Sequence, residues 1–274
     1  MLLTDVHNHS KFSADGVSPL EDMVSTAKNK GLRYFGISEH FDNDYLALGL
    51  KINGGPPFTD ADGYFRKAAE LKEKYNDSNF TFLAGGEFGF TQSNRCFDEY
   101  SRLLKKYSPD FVVNSVHTVD GRDCWYAEYF EGKTKELAYR AYLDAVLKSL
   151  SAPYHYDIVA HLGYCSRNAK YPDPKLRYED FRDIIDEILN TVAQNGKILE
   201  VNSSSRTAGS DFLPDVDILA RYYELGGRLI SFASDAHSTE RICDKRDKVV
   251  AVLKKIGFTH ITVPTRAGYV KVEI

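Results

Sequence analysis

Short β-branched or aromatic runs alternate with helix-length segments along the chain, and this order restricts the fold more than any other feature. Strand-like runs fall at 2–6, 33–37, 80–85, 110–116, 157–160, 197–201 and 229–233, with a weaker one at 259–263. Apolar residues at helical spacing fill 19–30, 60–75, 95–107, 134–150, 176–194, 214–225 and 244–256. Ser18-Pro19-Leu20-Glu21 reads as a capping box with proline at the first helical position, and Asn195-Gly196 and Gly226-Gly227 read as helix stops. Seven β-then-α units predict an α/β protein with a parallel sheet, and their number favours closure into a barrel. An open doubly wound sheet is the alternative, but the glycine-rich nucleotide turn it often carries is missing. The stretch "INGGPPFTDADG" reads as a loop rather than a linker, so residues 1–274 are expected to form a single domain.

A parallel barrel brings the C-terminal ends of its strands to one face, where such barrels build their active sites. The first run ends at His7 and His9, with Asp15 in the loop beyond; the second ends at His40 and the third at Glu87. The fourth ends at His117, the fifth at His161, and the seventh at Asp235 and His237. Each of these residues has an ordinary reading taken alone. Asp15 suits a turn before Gly16, Asp235 an N-cap, and Glu87 an ion pair with Arg95. Their recurrence at one structural level argues for metal ligation instead, because imidazole and carboxylate together suit Zn, Fe and Mn. Nine candidate ligands exceed the roughly three protein ligands of one catalytic zinc, so two to three divalent ions are expected, with Glu87 as the bridge. His155 and His260 fall outside the pattern and read as structural, and Cys165, four residues after His161, carries little weight as a ligand.

Composition narrows the partners. Lys plus Arg total 35 against 39 Asp plus Glu, and the net charge of −4 offers no bulk case for nucleic acid or an anionic membrane. No apolar run has the length of a signal or a membrane span. Cys96, Cys124, Cys165 and Cys243 are scattered without a C-x-x-C pair, which suits reduced thiols and a cytoplasmic location.

Taken as an ordered set, "HNHSKFSADG", "GISEH", "GGEFG", "NSVH", "AHLG" and "SDAH" resemble the polymerase and histidinol phosphatase (PHP) family of metal-dependent phosphoesterases across essentially the whole chain. "SVHTVDG", "LEVNSSSRT" and the length are most similar to the histidinol-phosphate phosphatases of histidine biosynthesis within it. The resemblance implies a distorted, TIM-like (β/α)7 barrel with a trinuclear site, with His7, His9, Glu87 and Asp235 on one metal, Glu87, His117 and His161 on a second, and Asp15, His40 and His237 on a third. Some members carry histidine where this chain has Asp15, and a carboxylate there leans towards Fe or Mn over Zn.

Clustered divalent ions suit phosphate-ester hydrolysis, because they lower the pKa of bound water from about 15.7 towards 7 and clamp phosphoryl oxygens. The expected reaction is attack of a metal-bridging hydroxide on phosphorus, converting L-histidinol phosphate to L-histidinol and phosphate. Asp235 and His237 are the groups nearest the nucleophile and, with Glu87, the expected catalytic residues. A phosphate monoester also calls for guanidinium forks, and Arg167 and Arg206 lie just beyond strand ends. For the substrate's amine, "EHFDNDY" offers Glu39, Asp42, Asp44 and Tyr45, with Asp42 as the chosen candidate. Rival readings are a related phosphoesterase acting on another phosphate or on phosphotyrosine, a metal-dependent amidohydrolase, and a non-catalytic metal-binding domain. The extra ligands Asp15, His40 and His237 and the two arginines favour phosphorus over carbon chemistry. No candidate ligand is missing, as one would be in a degenerate, non-catalytic domain.

Overall fold

The computed structural model describes residues 4–52 and 57–274. Residues 2 and 3 of the first expected strand, and 53–56 of the glycine/proline-rich loop, lie outside these. Seven strands, β1 (Thr4–Asp5), β2 (Tyr34–Phe41), β3 (Thr81–Gly89), β4 (Val112–Ser115), β5 (Ile158–Val159), β6 (Ile198–Asn202) and β7 (Ile230–Ala233), pair side by side in chain order. Every pairing is parallel. The sheet curls until its two edges meet. The Val6 N–H donates to the Phe232 carbonyl at 3.2 Å, and Asn8 bridges Ala236 in parallel. A distorted seven-stranded barrel results, as the β-then-α order predicts.

Buried polar groups hold the meeting edges together. The Asp5 carboxylate accepts from the Ser234 N–H at 3.0 Å, from the Ser234 hydroxyl at 2.6 Å and from the Cys243 N–H at 2.9 Å. Asn8 donates to Asp5 at 3.1 Å and accepts from the Ser234 hydroxyl at 2.9 Å. Each member of this network has a partner, which is the condition for placing a carboxylate in a barrel wall.

The barrel interior follows from the two-residue period of strands. Val6, Leu83, Phe111, Val113, Ile158, Ala160 and Ile198 form its apolar core. Phe111 is the largest of them, and two glycines make room for its ring. A Cβ on Gly85 would lie 2.6 Å from the ring, and one on Gly36 would lie 2.9 Å away. Gly85→Ala is therefore expected to destabilise the protein by about 1–3 kcal/mol through overpacking. Denaturant titration checks this, and Phe111→Leu in the same chain should return part of the loss; an unchanged midpoint for the single variant would rule out the close fit. Helices cover the outside with apolar stripes, such as Ile184, Ile185, Ile188, Leu189 and Val192 of the helix Arg182–Gln194.

Four details depart from the sequence-based expectations. The weak run at 259–263 does not join the barrel. His260–Thr265 pairs antiparallel with Gly268–Glu273, and Val263 and Val272 of this hairpin pack into the barrel core beside Tyr34 and Leu229. Those two residues stand at strand starts, so the hairpin plugs the end of the barrel opposite the histidines. The Ser18 capping box does not form: Pro19 holds the N-cap position without a side-chain cap, and the Ser18 hydroxyl accepts from the Thr239 N–H at 3.2 Å. The helix expected over 176–194 is split, because Phe181 leaves helical geometry (φ −141°, ψ 37°) and buries its ring. Finally β2 and β3 run on to Phe41 and Gly89, so His40 and Glu87 sit inside strands as register partners.

Candidate active site

At the C-terminal end of the barrel the strands open on a cavity of about 440 Å³. Asp15, His40, Asp42, Glu87, His117, His161, Arg167, Arg206, Asp235 and His237 all line it. His7 and His9 lie fully buried beneath Glu87 and Asp235. Twelve residues from separate parts of the sequence thus meet in one place, because parallel strands deliver their ends to one face.

Glu87 is the centre of the cluster. His7 Nε2 lies 3.3 Å, His9 Nε2 3.5 Å and His40 Nδ1 3.0 Å from its Oε2. His117 Nε2 lies 3.2 Å and His161 Nε2 3.0 Å from its Oε1. His9 Nε2 also stands 3.4 Å from Asp235 Oδ1. On the outer side, His237 Nε2 lies 3.1 Å from Asp15 Oδ2, and His40 Nε2 lies 3.7 Å from Asp15 Oδ1. The ligand atoms group as His7, Glu87 and His161, as His7, His9 and Asp235, and as His9, His40 and His237. His7 and His9 are therefore each shared between two groups.

The donor set fits divalent metal ions. His7 Nε2, His9 Nε2, His40 Nδ1, His237 Nε2 and Glu87 Oε2 are buried without a hydrogen-bond partner, although each points into the cluster. Such atoms are costly unless something occupies the space between them. Imidazole nitrogens and carboxylate oxygens in this proportion are the donors of zinc, iron and manganese sites.

Crowding of charge shows in the titration of the groups. Burial alone would raise Glu87, but the imidazoles of His7, His40 and His117 outweigh it and hold the carboxylate well below its usual range. Burial, aided by the neighbouring His40 and His237, lowers His9 to about 3. Asp235 is likewise held ionised against burial, chiefly by Arg167. The Arg167 guanidinium donates to Asp235 Oδ2 at 2.8 Å and to Asn202 Oδ1 at 3.0 Å. His161, Arg206 and Asp235 have positive φ values of 24°, 58° and 51°. Non-glycine residues in that region are strained, and such strain concentrates at functional sites.

A family model described as "PHP domain" matches residues 5–204. The chain belongs to the PHP domain family. Asp235 and His237 lie beyond the matched stretch, yet the barrel of this PHP domain is completed only by β7, whose C-terminal end leads directly into them. A probable histidinol-phosphatase of Clostridium acetobutylicum is 28% identical over 88% of the chain and 89% of its own length. A histidinol-phosphatase of Lactococcus lactis is 28% identical over 93% of the chain and 91% of its own length. The solved histidinol phosphate phosphatase of L. lactis, complexed with Zn, L-histidinol and phosphate, superposes with a TM-score of 0.84 at 27% identity, covering 99% of this chain and 100% of that one. A putative histidinol phosphatase of Listeria monocytogenes shares the fold, with a TM-score of 0.75 at 22% identity over 89% of this chain and 99% of that one.

Two of the acidic candidates for the amine contact do not face the cavity. Glu39 turns away, accepting from the Ser10 and Ser13 hydroxyls, each at 2.5 Å, and burial raises its pKa to about 7. Asp44 is also withdrawn, accepting from the Thr118 hydroxyl at 3.2 Å. Asp42 and Tyr45 do line the cavity. Cys165 is buried, and His155 and His260 stand apart from the cluster. The PHP domain also places beside the cluster residues that the strand-end pattern does not single out. Glu200 Oε2 sits 2.6 Å from His7 Nδ1, and Glu200 Oε1 accepts from the His161 N–H at 3.0 Å. Asp123, Trp125, Tyr126 and Tyr164 form a further wall of the cavity.

Proposed function

We propose that this chain is a metal-dependent phosphomonoester hydrolase that converts L-histidinol phosphate to L-histidinol and phosphate. The observation that carries the reading is the meeting, in one cavity, of an imidazole–carboxylate cluster around Glu87 with two arginines that lie beyond different strands. The likeness to the L. lactis enzyme over the full chain supports the choice of substrate. His7, His9, Asp15, His40, Glu87, His117, His161, Asp235 and His237 would hold two to three divalent ions, drawn from Zn, Fe or Mn. Such ions would supply an acidified water and charge neutralisation for phosphoryl oxygens.

The chain's own residues do the rest. Arg167 and Arg206 bind the phosphate, and a planar guanidinium offers paired donors to two of its oxygens. Arg167 is fixed in direction by Asp235 and Asn202. Asp235 or His237, both of which belong to the cluster, would take the single proton that the attacking water gives up. Asp42 Oδ1 is buried and without a hydrogen-bond partner on the cavity wall, which suits it to the substrate's ammonium group. All four cysteines are unpaired, in keeping with a reducing cytoplasm; among the described residues no helix is long and apolar enough to cross a membrane.

The test joins elemental analysis of purified protein with phosphate release from histidinol phosphate and from p-nitrophenyl phosphate. Two to three equivalents of metal and a large preference for histidinol phosphate are expected. Turnover of the generic ester alone would sink the substrate, and absence of metal with no rescue by added Zn, Fe or Mn would sink the site. Arg206→Ala is expected to raise KM and to lower kcat/KM by about 10- to 100-fold, the worth of one charge-assisted phosphate contact. Wild-type kinetics for that variant would remove Arg206 from the site.

A further inference from the structure

Arg167 and Arg206 reach the cavity from different loops, yet a chain of ring contacts connects them. The Arg206 Cζ stands 4.9 Å from the centre of the Trp125 ring. Trp125 and Tyr164 pack with centroids 6.3 Å apart at 31°. The Arg167 Cζ stands 5.2 Å from the centre of the Tyr164 ring. Asp123 ties the two residues together: it accepts from the Trp125 backbone N–H at 2.8 Å, from the Tyr164 hydroxyl at 3.3 Å and from the Tyr45 hydroxyl. The Asn168 side chain donates to the Trp125 carbonyl at 3.3 Å, so both backbone polar groups of Trp125 are engaged.

Arg206 differs from Arg167 in how it is held. Arg167 is buried and pairs with Asp235, whereas Arg206 is exposed at the cavity rim. Among the described residues its guanidinium has the indole face as its contact and no carboxylate partner. Its backbone is left-handed, and its side chain lines the cavity. A guanidinium left free in water loses rotamer freedom when it binds an anion, and one already resting on a ring loses less. A stacked guanidinium also keeps its edge N–H groups open, and those are the groups a phosphate uses.

We propose that Trp125 is a positioning residue that holds Arg206 ready for the phosphate, and that the Trp125–Tyr164 pair sets the spacing between the two guanidinium groups. This rests on the reading of Arg206 as a phosphate ligand, and the test separates the two claims.

The affinity of the metal-loaded protein for inorganic phosphate is measured by calorimetry, beside kcat and KM on histidinol phosphate, for Trp125→Leu, Trp125→Phe, Arg206→Ala and the Arg206→Ala/Trp125→Leu pair. Trp125→Leu is expected to weaken phosphate binding and raise KM by about 3- to 10-fold, with kcat changed by no more than about twofold. Trp125→Phe, which keeps a ring face, should recover most of the loss. The double variant should bind phosphate no more weakly than Arg206→Ala alone, because the indole acts only through the guanidinium. Wild-type affinity in Trp125→Leu, with weak binding in Arg206→Ala, overturns the positioning role and leaves Arg206 as a ligand. Wild-type affinity in Arg206→Ala overturns the reading beneath it. Losses that multiply in the double variant overturn the coupling. Trp125 is the only tryptophan in the chain, so its emission reports the contact without any substitution of the ring. Arg206→Ala should change that emission in the ligand-free protein, and an identical spectrum would mean that the stack does not form in solution.

Discussion

Glu87→Gln is expected to lower kcat/KM on histidinol phosphate on the order of 10³-fold or more and to strip the purified protein of much of its metal. Glu87 is the one carboxylate within 3.5 Å of five different imidazoles. Its two oxygens divide them: His7, His9 and His40 face Oε2, while His117 and His161 face Oε1. A glutamine fills the same space but offers one oxygen, no charge, and an NH2 group aimed at nitrogens that must accept a metal. The Ser115 hydroxyl, which donates to Oε1 at 2.5 Å, can still donate to an amide oxygen. The strand is therefore expected to stay in place while the cluster loses its bridge. Elemental analysis and turnover on the same preparation decide the matter, with circular dichroism as the check on folding. A full complement of metal with near-normal kinetics would show that the carboxylate is not shared between ions.

The second large effect is expected at a residue outside the ligand set. Glu200→Gln should weaken metal affinity by about 10- to 100-fold, the range seen when the carboxylate behind a ligating histidine is removed. Glu200 fixes which nitrogen of His7 carries the proton, through the 2.6 Å contact to Nδ1, and so leaves Nε2 free to point at Glu87. Its other oxygen accepts from the His161 N–H and from the Asn202 side chain at 2.9 Å. The His161 contact matters because His161 adopts a strained backbone, with φ of 24°, and the hydrogen bond helps to hold it there. Competition against a chelator gives the affinity directly. Turnover should return towards normal when metal is added in excess, which would set Glu200 apart from Glu87. Unchanged affinity in the chelator titration would reduce Glu200 to a packing role.

The legibility of the site follows from topology. His40 and Glu87 are 47 positions apart in sequence, yet they are register partners, because parallel neighbours bring equivalent ends together. Any polar residue placed at the end of a run in an alternating β/α sequence inherits that convergence, so which residues meet at the cavity can be read without coordinates. Glu200 cannot be read the same way. It lies in "ILEVN", where a lone acid flanked by apolar residues is indistinguishable from a charge on a strand's polar face. Trp125 and Asp123 are hidden for a different reason. The small hairpin that presents them, Thr118–Val119 with Arg122–Asp123, is too short to show a period. Its sequence signal is the Asp120-Gly121 turn, both residues having positive φ, a pair characteristic of tight hairpins. Of the floor hairpin, the first strand shows as the weak run at 259–263, while the second is marked only by the alternation in "YVKVE", which differs in period from the helices that precede strands elsewhere.

The seam between β1 and β7 has a consequence for how the chain is made. Translation proceeds at about 5–20 residues per second, so the first strand waits roughly 10–45 s for the last one to emerge from the ribosome. Through that interval β1 can pair with β2 on one side only, and its other edge stays open to wrong partners. Asp5 sits on that open edge. Until Ser234 and Cys243 arrive to donate to it, a bare carboxylate there discourages another strand from adding, since a foreign backbone would have to bury the charge unpaired. The residue that later locks the barrel thus guards it while it is incomplete.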